Sequence, residues 1–148
     1  MATVDTQSEI QVLRVRKEID IAAPIDVVFQ TIVDQVGLYP EDRVVLKLEP
    51  WPGGRWFRDL GNNTGHLWGH VQVIKPPTLL ELVGPMMFSY AAASHVQYRL
   101  SEEGGKTKLA LVHQAIGLLT KEHMEGVNQG WGIVVENVAK KAKEKAMR

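Results

Sequence analysis

The middle of the chain reads Glu49-Pro50-Trp51-Pro52-Gly53-Gly54-Arg55-Trp56-Phe57. Its Pro-Gly-Gly core is typical of a tight turn, because glycine accepts turn conformations that other residues avoid. Strand-like segments precede and follow this turn, whereas the last thirty residues have the period of one long amphipathic helix. Many strands followed by a single long helix predict a sheet wrapped around that helix. Such a wrap tends to leave a cavity, so the pattern implies a small-molecule pocket.

The length and charge of the chain limit its organisation and partners. Its 148 residues suit one domain, which we expect over residues 10–148 after a flexible tail over 1–9. Lys and Arg together number 17, as do Asp and Glu, so the chain lacks the basic footprint of a nucleic-acid binder. No apolar run approaches the roughly 20 residues that span a bilayer, and the N-terminus lacks the apolar core of a signal peptide. We therefore expect a cytoplasmic protein with no membrane span.

Alternating apolar and polar residues predict seven strands. The first runs from Gln11 to Ile21, with Leu13 and Val15 on its buried face. In the fourth, the buried face is predicted to carry Leu67, Gly69, Val71 and Val73. The strands after the first are expected near residues 43–49, 55–60, 67–73, 79–83, 96–100 and 109–113.

Helical signals follow the first strand and close the chain. Pro24 suits the first turn of a helix over 24–33, and the interruptions at Gly37 and Pro40 favour a short second helix or an irregular turn. Thr120 is a suitable N-cap for the last helix. That helix has a wide apolar stripe of Met124, Val127, Asn128, Trp131, Val134, Val135, Val138 and Ala142.

Three glycines interrupt the last helix, at Gly126, Gly130 and Gly132. Each lowers helix propensity by about 1 kcal/mol relative to alanine. We therefore expect the backbone of this helix to pack closely against another element, such as the sheet.

Several short pieces of the sequence match a known superfamily in their order and spacing. They are Ile19-Asp20-Ile21-Ala22-Ala23-Pro24, Val28-Phe29, Pro52-Gly53-Gly54-Arg55-Trp56, Gly69-His70-Val71, Pro76-Pro77, Leu79-Leu80, Thr107-Lys108-Leu109, His113 and Gly130-Trp131. Together with the order of the elements, these pieces resemble the helix-grip fold of the START-like (SRPBCC) superfamily, which includes lipid carriers and polyketide cyclases. Within it, the chain is most similar to the group related to the heat-shock-protein-90 ATPase activator. The resemblance implies an α+β fold in which a curved antiparallel sheet of six or seven strands wraps around the long C-terminal helix, with two short helices after the first strand. It also implies a deep apolar cavity between sheet and helix.

Large aromatic and amphipathic side chains occur on the elements expected to line this pocket. Arg58 shares a strand face with Trp56, so it could bind an acid or carbonyl group of a ligand. Asn128 is a polar residue on the apolar stripe and needs a hydrogen-bond partner there. Alternatively, the aromatic residues fill the core and Arg58 is solvated. The candidate ligand-binding residues are Trp56, Arg58, Trp68, Tyr98, His113, Met124, Asn128 and Trp131.

His113 alternates with core leucines on the last strand and is the one candidate catalytic group. An inward histidine is most often a hydrogen-bonded core residue, but its ordinary pKa near 6.5 also suits acid–base chemistry. No metal is expected, because the chain has no cysteine and His66 and His70 would lie about 13 Å apart on one strand. No cofactor is expected either, because the sequence has no phosphate loop or dinucleotide fingerprint. Met86-Met87-Phe88 forms either an apolar lip at the pocket mouth or a plain loop.

Three functions fit this sequence. The leading hypothesis is a binding protein for a hydrophobic small molecule or lipid, held in an internal cavity. The second is an enzyme of the polyketide cyclase or dehydratase type that uses His113 and Arg58. The third is a co-chaperone-like module that binds another protein, for which an exposed apolar patch and a filled cavity are expected. A homodimer is compatible with each of them.

Overall fold

A computed structural model describes residues 9–36 and 46–148. Its seven strands form one antiparallel sheet in the order β1-β7-β6-β5-β4-β3-β2. Among the described residues, one helix follows the first strand and a long helix closes the chain, which is the α+β helix-grip arrangement expected from the sequence. The elements are β1 (Gln11–Ile21), α1 (Ile25–Val33), β2 (Leu46–Leu48), β3 (Arg55–Gly61), β4 (Thr64–Lys75), β5 (Leu79–Gly84), β6 (Ala92–Glu103), β7 (Lys106–Gly117) and α2 (Lys121–Ala146).

Three expectations from the sequence concern residues outside these two ranges. Residues 1–8 of the expected tail over 1–9, the second short helix or turn near Gly37 and Pro40, and residues 43–45 of the expected second strand lie outside the described residues. Neither of the two helices that the structure describes is long and apolar enough to cross a membrane.

Strand β1 shows how the alternating pattern produces the sheet. Leu13 and Val15 are buried, whereas Arg14 and Arg16 are exposed, and the strand has the predicted bounds. It pairs along its whole length with β7, where Val15 lies opposite His113. This pairing places β1 and β7 side by side in the core.

Strand β4 departs from the predicted alternation. Leu67 was expected on the buried face but is 48% exposed, whereas Trp68 is buried. The cause is a shift of register against β3, in which Trp56 lies opposite Gly69 but Phe57 lies opposite Leu67. Trp68 is therefore the extra residue of a β-bulge, and the bulge turns its side chain inward.

The expectation that the glycines of α2 pack closely against another element is wrong. The buried side chains of α2 are Trp131, Val135, Val138 and Ala142, and the helix packs mainly on β1 and α1. A Cβ added at any of its three glycines would meet no atom within 4 Å. The glycines therefore border open space. Thr120 is the N-cap, as predicted, and its hydroxyl accepts a hydrogen bond from the backbone N–H of His123 at 3.1 Å.

Candidate functional site

A cleft of about 600 Å³ lies beside the first half of α2 and is called the α2 cleft below. Strands β2, β3, β4 and β6, the segment between β5 and β6, and α2 all contribute to its walls. Apart from Glu122 and His123, every lining residue is apolar, aromatic or glycine. The lining residues are Leu46, Trp56, Trp68, Met86, Met87, Phe88, Tyr98, Glu122, His123, Gly126, Val127, Gly130, Trp131, Ile133 and Val134.

Four large aromatic side chains form the floor of the α2 cleft. The rings of Trp56 and Trp68 meet edge to face, with centroids 5.1 Å apart and an angle of 76° between their planes. Tyr98 and Trp131 form a similar pair at 6.3 Å and 78°. Edge-to-face pairs are a favoured aromatic geometry and hold both rings in place. The floor is therefore a fixed aromatic surface.

The indole nitrogens of Trp56 and Trp131 form hydrogen bonds with side chains of the protein. Nε1 of Trp56 donates to Oε1 of Gln35 at 2.9 Å, and Nε1 of Trp131 donates to Nδ1 of His113 at 2.9 Å. Gln35 is itself held, because its side-chain nitrogen donates to the carbonyl oxygen of Ile32 at 2.7 Å. These two tryptophans consequently offer carbon surfaces to the cleft, while their polar atoms are satisfied elsewhere.

His113 is fully buried behind Trp131 and does not line the α2 cleft. An indole N–H only donates, so Nδ1 of His113 must accept, and the ring proton of the neutral form is on Nε2. Nε2 then donates to Oγ of Ser94 at 3.0 Å. Burial lowers the pKa of His113 to about 4, because the charged form would lose its hydration. At neutral pH, this histidine is an uncharged connector between β7, β6 and α2.

Two of the three glycines of α2 form part of one wall of the cleft. Gly126 and Gly130 line it one helical turn apart, together with Val127 and Val134. Since a Cβ at either glycine would meet nothing within 4 Å, the helix backbone itself faces this space. A flat ligand could therefore approach the helix more closely than any side chain would allow.

The mouth of the α2 cleft has a fixed polar pair. The hydroxyl of Tyr90 lies 2.8 Å from Nδ1 of His123, and the two rings are stacked with an angle of 4° between their planes. Phe88 contacts Tyr90 with ring centroids 5.5 Å apart. Met86, Met87 and Phe88 all line the cleft, so this segment borders it.

A comparison of the sequence with protein-family models identifies the family. The model described as Activator of Hsp90 ATPase homolog 1-like protein matches residues 22–142, which include the whole α2 cleft. The chain belongs to this family. No curated protein matches the chain by sequence.

Solved structures agree with this assignment at the level of the fold. A protein from Rhizobium leguminosarum is 19% identical with a TM-score of 0.74, and the match covers 94% of this chain and 99% of that one. Protein CV1439 from Chromobacterium violaceum is 16% identical with a TM-score of 0.70, covering 88% and 98%. CalU16 from Micromonospora echinospora is 21% identical with a TM-score of 0.62, covering 90% and 83%. Identities this low show a shared fold alone.

In this member of the Hsp90 ATPase activator homologue-like family, the cleft brings together half of the predicted ligand-binding residues. Trp56, Trp68, Tyr98 and Trp131 line it. His113 lies behind Trp131, and Met124 is half-buried against the core without lining the cleft.

Two polar candidates lie elsewhere. Arg58 is half-buried on β3 and lies in a shallow concavity near the β3–β4 turn. Asn128 was expected on a buried helix face, and this expectation is wrong, because Asn128 is exposed. The buried stripe of α2 begins only at Trp131, since the first half of the helix borders the cleft rather than the core.

His123 and Tyr90 were not among the sequence candidates for ligand binding. They are 33 residues apart, and no local pattern relates a residue in the segment between two strands to the first turn of a helix. Within residues 9–36 and 46–148, no three His, Asp or Glu side chains come together as metal ligands would.

Proposed function

We propose that the protein binds an apolar or amphipathic small molecule in the α2 cleft. The observation that carries this proposal is a cleft of about 600 Å³ with aromatic walls. The indole N–H groups of Trp56 and Trp131 form hydrogen bonds with Gln35 and His113 instead of facing the cleft. Pockets for small molecules typically have volumes of about 300–1,000 Å³ and mainly apolar walls. Covering each 100 Å² of apolar surface is worth about 2.5 kcal/mol.

The shape of the walls favours a flat ligand. Trp56, Trp68 and Tyr98 line the cleft from the sheet, and the backbone at Gly126 and Gly130 lines it from α2. A fused-ring or conjugated molecule would contact both walls at once. A lipid with a single flexible chain would gain less, because it loses more conformational freedom on binding.

The other two functions have weaker support from the described residues. The cyclase- or dehydratase-type enzyme was expected to use His113 and Arg58, and neither lines the α2 cleft. The co-chaperone-like module was expected to have a filled cavity, whereas the α2 cleft has room for a ligand. A cytoplasmic location and a homodimer stay predictions from the sequence.

Two measurements test the proposed function. Native mass spectrometry of freshly purified protein is expected to show extra mass that is lost on denaturation. In addition, naphthalene, a small planar apolar probe, is expected to shift the indole N–H signals of Trp56, Trp68 and Trp131 in a two-dimensional NMR titration. Trp51 is an internal control, because it is 54% exposed and lies outside the cleft. Unchanged signals of the three cleft tryptophans at saturating naphthalene would contradict the proposal.

A further inference from the structure

The polar groups at the mouth carry an inference about the ligand itself, which rests on the proposed function. The carboxyl and imidazole side chains that line the cleft, those of Glu122 and His123, occupy the first turn of α2. The floor, in contrast, offers the carbon surfaces of Trp56 and Trp131. An amphipathic ligand would therefore bind with its apolar end on the floor and its polar end at the mouth.

His123 is held in a defined orientation although it is exposed. Tyr90 stacks on the imidazole at a centroid distance of 5.6 Å and binds its Nδ1 at 2.8 Å. Phe88 approaches the same imidazole at 6.5 Å. The backbone N–H of His123 is used separately, by the hydroxyl of Thr120. This arrangement leaves Nε2 as the ring nitrogen of His123 for a ligand.

Whether Nε2 of His123 donates or accepts a hydrogen bond determines which polar group of a ligand it can bind. If the Tyr90 hydroxyl donates to Nδ1, then Nε2 carries the proton and donates to the ligand. If Nδ1 carries the proton, Nε2 accepts instead. A hydroxyl group satisfies both cases because it can donate and accept, whereas a carbonyl oxygen satisfies only the first.

The acidic side chain at the mouth disfavours an anionic ligand. Glu122 lines the same rim, and its carboxylate would repel a carboxylate or phosphate on the ligand. We propose that His123, positioned by Tyr90, is a subsite at the mouth of the α2 cleft for the hydroxyl group of an uncharged, planar apolar ligand such as a phenol or a polycyclic alcohol.

Three probes with one ring system test this subsite. Affinities of naphthalene, 2-naphthol and 2-naphthoate are measured from the indole N–H shifts of the cleft tryptophans. Apolar transfer alone favours naphthalene, because 2-naphthol is the better hydrated molecule. The subsite reverses this order, and we expect 2-naphthol to bind about 3- to 10-fold more tightly than naphthalene, the effect of one net hydrogen bond. The weakest ligand should be 2-naphthoate.

Two variants distinguish the subsite from the cleft. His123→Phe keeps a ring to stack on Tyr90 and keeps the backbone cap, so its readout is the ratio of the two affinities, and the preference for 2-naphthol over naphthalene should be lost. Glu122→Gln should raise the affinity for 2-naphthoate relative to the affinity for naphthalene. His66→Phe is the matched control, because His66 is exposed on β4 and does not line the α2 cleft.

The outcomes separate the two proposals. If naphthalene binds but 2-naphthol has no advantage, or if the advantage survives in His123→Phe, the subsite is overturned and the proposed function stands. If none of the three probes shifts the cleft tryptophans, the proposed function fails, and the subsite fails with it.

Discussion

The indole nitrogen of Trp131 donates a hydrogen bond to Nδ1 of His113 at 2.9 Å, and the two rings meet edge to face with centroids 5.7 Å apart. This contact joins the long helix to the last strand across the core. It also separates the histidine from the α2 cleft, since Trp131 lines the cleft and His113 does not. The contact therefore has consequences for stability and for the surface that a ligand meets.

Acid should destabilise the protein through His113. Burial lowers the pKa of His113 to about 4, against 6.5 for an ordinary histidine. Its contribution is fully present above pH 6.5 and is lost as the pH falls toward 4, because the unfolded state takes up a proton that the folded state does not. We expect the free energy of unfolding to fall by about 2 kcal/mol between pH 7.5 and pH 5, as measured by urea unfolding.

The control for this pH effect is His113→Gln, in which the free energy of unfolding should change much less between pH 7.5 and pH 5. Hydrogen bonds from Arg55 and from the N–H of Gly61 also lower the pKa values of Glu49 and Asp59, respectively. Their ordinary values are 4.5 and 3.8, so their contributions are lost only at lower pH. If the free energy of unfolding depends equally on pH in the wild type and in His113→Gln, the effect does not come from His113.

Removing the indole donor should be costly. Trp131→Phe leaves Nδ1 of His113 buried without a partner and also removes buried volume, so we expect a loss of about 2–4 kcal/mol in urea unfolding. The loss should be smaller when His113 is already replaced by Phe, giving a coupling energy of about 1 kcal/mol or more. Trp51→Phe, at an exposed position, should change stability by less than about 0.5 kcal/mol. Strict additivity of the two core substitutions would be evidence against the contact.

The glycines of α2 should tolerate a methyl group. Gly130→Ala and Gly132→Ala are each expected to raise the free energy of unfolding by up to about 1 kcal/mol, because the added Cβ meets open space in a helix. Gly84→Ala should do the opposite, since Gly84 has φ +155° and its Cβ would lie 2.4 Å from the Cα of Gly69. Destabilisation by both helix substitutions would restore the expectation of close backbone packing.

The turn between β2 and β3 is fixed by one ion pair. Glu49 accepts three hydrogen bonds from Arg55, two from the guanidinium at 2.9 Å and one from the backbone N–H at 2.8 Å. These bonds lower the pKa of Glu49 to about 2, a value that an NMR titration of its side chain can measure. Arg55→Lys should raise this pKa, because lysine cannot form the paired contact. Arg58→Lys, on the same strand, should leave it unchanged.

Sequence periodicity predicted most of the fold for a physical reason. Strands buried on one face must alternate, as β1 does from Gln11 to Ile21, and a capped amphipathic helix such as α2 has a visible start at Thr120. The bulge at Trp68 was missed, because it depends on how β4 pairs with β3 and not on the residues of β4 alone.

The candidate site was harder to predict than the fold. The aromatic floor was found because Trp56, Tyr98 and Trp131 lie on inward positions of regular elements. The polar pair at the mouth was not found, because Tyr90 and His123 meet only when folding brings the segment before β6 against α2. The glycines were noticed but misinterpreted, since sequence alone does not distinguish a glycine that permits close packing from one that leaves a space open.

The central claim is that the α2 cleft holds a small apolar molecule, and a pair of variants on one helix tests it most directly. Gly130→Leu places a side chain in the cleft, whereas Gly132→Leu makes the same substitution two residues away, at a position that does not line it. Naphthalene affinity, measured from the indole N–H signals, should fall at least about 10-fold in Gly130→Leu and stay within about 2-fold of wild type in Gly132→Leu. Unchanged affinity in Gly130→Leu, or equal losses in both variants, would contradict the claim.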